Sequence, residues 1–460
     1  MSKKASFVVD RRLVLAGGAA ALTAAALPST VGAQDAADAV LFTLSDLHAP
    51  YVRLPAVLDT IRTMKAQAGL PSAVLLNGDI FERGNVVCER SGGAVDWAFL
   101  SALAAEMPVV VNLGNHETAI LDDMVTFAAR ADQAGIGVIS NLIDRRTGRF
   151  FAPISDRLGL GGIDISVLGL AATNPFVYRP AVRETLTFLD TAQFVEDAFE
   201  ESSAGADLAL IMSHAGVAPD KTYIDALPAG TVIQGAHDHL SFDLVHNDVR
   251  YFHGGSWGAQ IGLLSLTKGA DGVRTDYRTQ AVAPSGGDAA LAALIDAQKA
   301  QHLTAQDTEV IATLPLALDL HASILVATEA VRIATQADLA MIGHTTFGAP
   351  LAAGPLTRYD FDAFVRFGGR LLVTEISGAD LAPILARSNQ FTAQNLEGRT
   401  GDYVHVAAVD LDKSRTYRLA VNAWTAINQA TYLGTTGLAF EQVEGLELKA
   451  VISEHLKATF

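Results

Sequence analysis

Cysteine is all but missing from this chain. Cys88 is the only one among 460 residues, so no intramolecular disulfide can form and no thiolate cluster can hold zinc. Any metal site must therefore be built from imidazole, carboxylate and amide groups, and Cys88 itself reads as a small buried hydrophobe. Cations are also in short supply: 33 Lys and Arg face 50 Asp and Glu, a net charge of −17. That balance excludes a protein that grips nucleic acid by neutralising its phosphates, and an anionic ligand has to be held by local charge such as metal ions. Beyond the first 33 residues, no run is long and apolar enough to span a membrane.

What the first 33 residues do contain is a processing pattern. Lys3, Lys4, Arg11 and Arg12 precede an Ala/Leu-rich run over 13–27, and Val31-Gly32-Ala33 offers small residues for cleavage. Arg11 and Arg12, followed by Leu13-Val14-Leu15, resemble a twin-arginine signal, which implies export to the periplasm by machinery that carries folded proteins. Removing residues 1–33 takes away four cations and the anion Asp10, leaving −20.

The remaining length exceeds one core, since single cores stop growing near roughly 250–300 residues. From residue 39, short apolar runs of strand length alternate with amphipathic helical stretches, the pattern of an α/β layer fold. The expected division is a first domain over 38–283, a linker helix within 284–307 and a second, smaller α/β domain over 308–460. Five apolar runs in the first half each stop at a polar cluster. They end at Ser45-Asp46-Leu47-His48, Asn77-Gly78-Asp79, Gly114-Asn115-His116-Glu117, Ser213-His214 and Gly235-Ala236-His237-Asp238-His239. In an open α/β sheet such clusters share the carboxyl edge, where ligands bind.

Singly, each cluster has an ordinary explanation as a capped loop, a turn or a helix N-cap. Together they place three carboxylate or amide oxygens and five imidazoles on successive strand ends of one half, which points to a metal site. Their order resembles the calcineurin-like metallophosphoesterases. That resemblance implies a β-sandwich flanked by helices, with two divalent ions of zinc, manganese, cobalt or iron. One ion would be held by Asp46, His48 and His239, the other by Asn115, His214 and His237, with Asp79 shared by both. A carboxylate between two mutually repelling cations is physically reasonable, and a two-metal site activates solvent as the nucleophile for phosphate esters. His116 would protonate the leaving oxygen.

The 5′-nucleotidase branch follows this His with Phe-Asp, whose carboxylate orients it. Here Thr118 and Ala119 stand in those places, and Asp122 and Asp123 are the nearby acids. Gly78-Asp79-Ile80-Phe81-Glu82-Arg83-Gly84 is similar to a phosphoprotein-phosphatase motif whose arginine contacts phosphate, which makes Arg83 a substrate-binding candidate. Residues 308–440 resemble the carboxy-terminal domain of bacterial 5′-nucleotidases and UDP-sugar hydrolases through Gly354-Pro355-Leu356-Thr357, Phe367-Gly368-Gly369-Arg370 and Ile376-Ser377-Gly378. Its phosphate-contact and nucleoside segments are replaced by 342–348 and 433–437. The implied activity is hydrolysis of a small phosphomonoester such as a nucleotide or sugar phosphate. The alternatives are a phosphodiesterase on cyclic or sugar nucleotides and a metal- or ligand-binding protein without turnover. His253, His321, His344 and His405 have no role in this reading. Because every implied ligand precedes residue 240, the first half is expected to bind metal and hydrolyse simple aryl phosphates alone.

Overall fold

The computed structural model describes residues 37–391 and 395–460; the expected export signal lies outside the described residues. Two six-stranded sheets stack face to face in the first half. One runs Gly272–Ala281, Gln260–Gly269, Ala39–Ser45, Ser72–Asn77, Val109–Asn112, Gly137–Ile139, its last four strands parallel. The other runs Ser241–His246, Val249–Gly254, Val232–Gly235, Leu208–Ser213, Ile163–Leu170, Ser155–Leu160.

Alternate residues of one strand serve two cores. Ala39 and Leu41 face the opposite sheet with Ile165, Leu210 and Phe252, while Val40, Phe42 and Leu44 face the covering helices with Val57 and Leu100. Strands covered on both faces read as continuous apolar runs, which is why periodicity alone does not reveal their alternation. The hairpin of Ser241–His246 and Val249–Gly254 turns at Asn247-Asp248, both at positive φ (49° and 60°), as a tight right-twisting turn requires.

Helix Ala289–His302, capped by Asp288, does more than connect the halves. Its Leu291 and Ile295 are buried in the first half's helical core. The second half is a five-stranded sheet in the order Val404–His405, Leu339–Gly343, Thr416–Asn422, Arg370–Ser377, Glu441–Glu447. Helices Leu320–Thr335 and Leu448–Thr459 contribute to the core on one face, and Gly378–Ala386 to that on the other. Among the described residues no helix is long and apolar enough to cross a membrane.

Candidate metal centre

At the carboxyl ends of the first half's parallel strands, buried side-chain amides reach main-chain carbonyls across the sandwich. Asn77 donates to the carbonyls of Ser213 (3.0 Å) and Gln234 (2.7 Å), and Asn112 donates to those of Leu170 and Met212. Such staples meet the demand that buried backbone groups be paired, and they fix the two sheets' loops against each other.

On that rigid edge the backbone is strained. Asp46, His48, Asp79, His237 and His239 all have φ between 48° and 75°, a left-handed region that costs a residue with a side chain about 1–3 kcal/mol and that clusters at functional sites. Interlocking loops hold it: His48 N–H donates to the Asp79 carbonyl (2.9 Å) and Trp257 N–H to that of Asp46 (2.8 Å). Glu117 accepts from the amides of Ile80 (2.9 Å) and Gly114 (2.6 Å), tying the Asp79 loop to the Asn115 loop. Gly78 lets them meet, since a Cβ there would lie 2.5 Å from His214 Nδ1.

Asp46, His48 and His239 bring one ligand atom each within 4.8 Å of one another, and so do Asp79, His214 and His237. Asp79 faces both groups, with Oδ2 at 3.7 Å from His48 Nε2 and Oδ1 at 3.3 Å from His214 Nε2. His48 Nε2 and His239 Nε2 are 2.9 Å apart. His214 Nδ1 donates to the Asn77 carbonyl (2.9 Å), which leaves Nε2 bare. Asn115 Nδ2 contacts the Val177 carbonyl at 3.4 Å, which leaves Oδ1 free. Asn115 Oδ1, His214 Nε2 and His237 Nδ1 are buried without any hydrogen-bond partner. Buried, orphaned lone pairs of this kind fit divalent cations.

Burial keeps His48 and His237 neutral, the form that binds metal, but not His214. Burial, reinforced by Arg366, pushes His48 down to about 3, and burial with the nearby His214 does the same to His237. Burial also lifts the Asp46 carboxyl to about 7, with the charge of Asp79 adding to it. At Asp79 burial opposes ionisation, but His214 and His116 outweigh it and hold the carboxyl well below its usual range. Burial likewise opposes protonation of His214, yet Asp79, Asp46 and Glu117 raise it to about 10.

Two residues the sequence reading did not single out complete the site. Arg366 follows helix Arg358–Phe364 of the second half, and its guanidinium is buried among first-half residues. Glu82 Oε2 accepts from its Nε (2.8 Å) and lies 2.7 Å from its Nη2. The same oxygen is 3.3 Å from His48 Nδ1 and 3.7 Å from His116 Nδ1, while Arg366 Nη2 is 3.3 Å from His116 Nε2. Glu82 thus places a carboxylate oxygen beside the His116 ring. Asp122 and Asp123 do not, since Asp122 is 95 % exposed and Asp123 caps helix Met124–Gln133. Arg83, the guanidinium expected at the phosphate, lines the same cleft as His116 and Arg366, with its side chain 64 % exposed and 3.4 Å from Glu89. The motif at 78–84 contained Glu82 in plain view, whereas nothing near Arg366 in sequence announced its destination. The His116 amide donates to Asp79 Oδ1 (2.7 Å), and burial lowers its imidazole. A cleft of about 650 Å³ opens over His116, Asn115 and Arg366 and is rimmed by Phe176, Phe367 and Trp424.

Residues 41–262 match the calcineurin-like phosphoesterase family, and residues 319–434 match the 5′-nucleotidase C-terminal domain family. The chain is 24 % identical over 387 residues to an uncharacterized metallophosphoesterase of Bacillus subtilis, YunD, which covers 78 % of this chain and 80 % of that one. Two solved structures from Thermus thermophilus share the fold. A 5′-nucleotidase precursor superposes with a TM-score of 0.61 at 19 % identity over 91 % of this chain and 96 % of its own. A sulfate thiohydrolase superposes with a TM-score of 0.62 at 16 % identity over 94 % and 95 %.

Proposed function

Because the chain belongs to the calcineurin-like phosphoesterases and joins such a domain to a 5′-nucleotidase C-terminal domain, we propose that this hydrolase cleaves phosphomonoesters, nucleotides or sugar phosphates among them, in a site built for two divalent cations. The observation that carries the reading is that ligand atoms of Asp79, His214 and His237 come together beside those of Asp46, His48 and His239, with Asn115 Oδ1, His214 Nε2 and His237 Nδ1 buried and unpartnered. Asp46, His48 and His239 would hold one cation, Asn115, His214 and His237 the other, and Asp79 both. Such a pair, when bound, supplies positive charge to the phosphoryl oxygens and acidity to attacking water.

The chain's own groups do the rest. Arg366, held by Glu82, directs a guanidinium to the phosphate side of the cleft. His116 hands a proton to the leaving oxygen, and Glu82, 3.7 Å from its Nδ1 and beyond hydrogen-bond reach, favours its protonated form through charge where other family members use an acid absent here. Arg83 at the rim is left with at most an outer electrostatic part. Residues 1–33 are read as an export signal, which puts the enzyme in the periplasm; fractionation of cells making the full chain and an Arg11→Lys/Arg12→Lys variant tests that.

The function is tested by measuring bound metal together with phosphate release from para-nitrophenyl phosphate and from its bis-ester. Two ions per chain and a preference for the monoester are expected. A preference for the bis-ester would make the protein a phosphodiesterase, and metal binding without turnover of either would make it a binding protein. Comparing AMP with sugar phosphates then addresses the leaving group, and because the nucleoside-contact segments differ, kcat/KM is expected to differ by less than about a hundredfold, roughly 2.7 kcal/mol.

A further inference from the structure

Three histidines left without a role by the sequence form one connected chain in the second half. His321 lies in helix Leu320–Thr335, His405 in strand Val404–His405, and His344 directly after strand Leu339–Gly343. His321 Nδ1 is 3.1 Å from His405 Nδ1, and His405 Nε2 is 2.9 Å from His344 Nδ1. His405 thus spends both ring nitrogens on other imidazoles while only 1 % exposed. Tyr403 stacks on His344 at 4.7 Å and Phe391 on His321 at 3.9 Å, so the rings cannot swing aside. The nitrogens used are not grouped around one point, so this is a chain and not a metal cage.

The inner end reaches the metal loop. His344 meets His239 edge-on, with ring centroids 6.4 Å apart. An imidazole offers one donor and one acceptor, so rings in series satisfy both links in either sense. Two buried imidazoles and a half-buried third, where aliphatic side chains would fill the core more cheaply, indicate that the network specifies a geometry. The geometry at its end is His239, whose backbone is held at φ 57°.

We propose that the His321–His405–His344 chain is a strut through which the second half positions the metal ligand His239, making His405 a positioning residue for the cation shared with Asp46 and His48. This rests on the two-cation reading above. His237 has its own anchor, an N–H donated to Asp46 Oδ1 at 2.9 Å, so the two cations respond differently.

The test is titration of Mn²⁺ into metal-stripped full-length chain, counting bound ions and their affinities. Gln at 405 extends an amide N–H to the position of Nε2, whereas the shorter Asn side chain reaches only toward His321. His405→Gln is expected to bind both ions within about threefold of the unmodified protein. His405→Asn is expected to weaken one ion by about ten- to a hundredfold, the effect of losing a group that orients a ligand, and to leave the other unchanged. Equal affinities in the two variants overturn the strut. If the unmodified chain itself fails to bind a second Mn²⁺, the two-cation reading falls and the strut with it. If His405→Asn does not fold, the same comparison at 344 decides, because Gln there reaches as far toward the His239 loop as the ring's outer nitrogen does and Asn does not; equal binding at 344 also overturns the proposal.

Discussion

His116 and Asp96 show how burial sets what a single side chain does. His116 adjoins Asn115 in sequence yet is not needed to complete either ligand group, so its loss should separate chemistry from binding. His116→Ala is expected to keep both cations and to lower kcat on alkyl phosphates by about 10²–10⁴, the range for a lost general acid. The loss should be smaller for para-nitrophenyl phosphate, whose leaving group needs no proton, and equal losses on both substrates would count against the role. Asp96 lies far from this chemistry, inside the helical core, accepting from Tyr51 Oη (2.7 Å) and Cys88 Sγ (3.4 Å). Burial raises its carboxyl to about 7. A carboxyl whose folded value is raised binds its proton more tightly folded than unfolded, so its contribution is present at low pH and is lost as pH rises from about 4 to about 7. Asp96→Asn should therefore match the parent near pH 4 and exceed it by about 1–3 kcal/mol at pH 8 in denaturant titrations. A gain of the same size at both pH values would exclude this cause.

Loops matter most among the elements, because each ligand sits on the turn that ends a strand and not within the strand. Gly78 permits that arrangement for two separate reasons, a φ of 69° and the absence of a Cβ that would strike His214 and Gly114. Gly69, which ends helix Leu54–Ala68, shares the first reason without the second, with φ 61° and open space where a Cβ would go. Gly69→Ala should cost about 1 kcal/mol, the strain alone. Gly78→Ala should cost several kcal/mol and also displace His214 from the Asn77 carbonyl, so metal content falls. Thermal unfolding with metal analysis compares the two, and similar behaviour would mean that the close approach at Gly78 is unimportant.

For the molecule as a whole, the two halves share more than a boundary. The expectation that the first half hydrolyses simple aryl phosphates alone has to accommodate Arg366, which enters from the second half and pairs with the buried Glu82. It also has to accommodate helix Ala289–His302, whose Leu291 and Ile295 complete the first half's core. A chain ending at residue 283 should thus be less stable than one ending at 303 by about 4 kcal/mol, the burial of two aliphatic side chains. Both lack Arg366, so both should fall at least about tenfold below the full chain in kcat/KM for para-nitrophenyl phosphate, even with metal bound. Melting temperatures and steady-state rates of the two chains check this, and full activity in the longer one would show that Arg366 does not touch the phosphate.

How much of this was legible follows from range. The apolar runs and the polar residues that end them are local, so the sequence alone determined that Asp46, His48, Asp79, Asn115, His214, His237 and His239 stand at strand ends in an α/β fold; parallel strands then have to bring those ends to one edge. The motif at 78–84 was equally legible, but which of its charged residues turns inward was not. Glu82 is buried in the site because its carboxylate finds Arg366 there, across 284 residues of chain, while Arg83 stays largely exposed at the cleft's rim. The histidine chain was invisible for the same reason: His321, His344 and His405 have no common period, and only the packing of a helix, a strand end and a short edge strand puts their ring nitrogens within hydrogen-bond reach. Local patterning decides where polar groups can sit, and tertiary packing decides which of them meet, because a buried charge or ring nitrogen is tolerated only where a distant partner satisfies it.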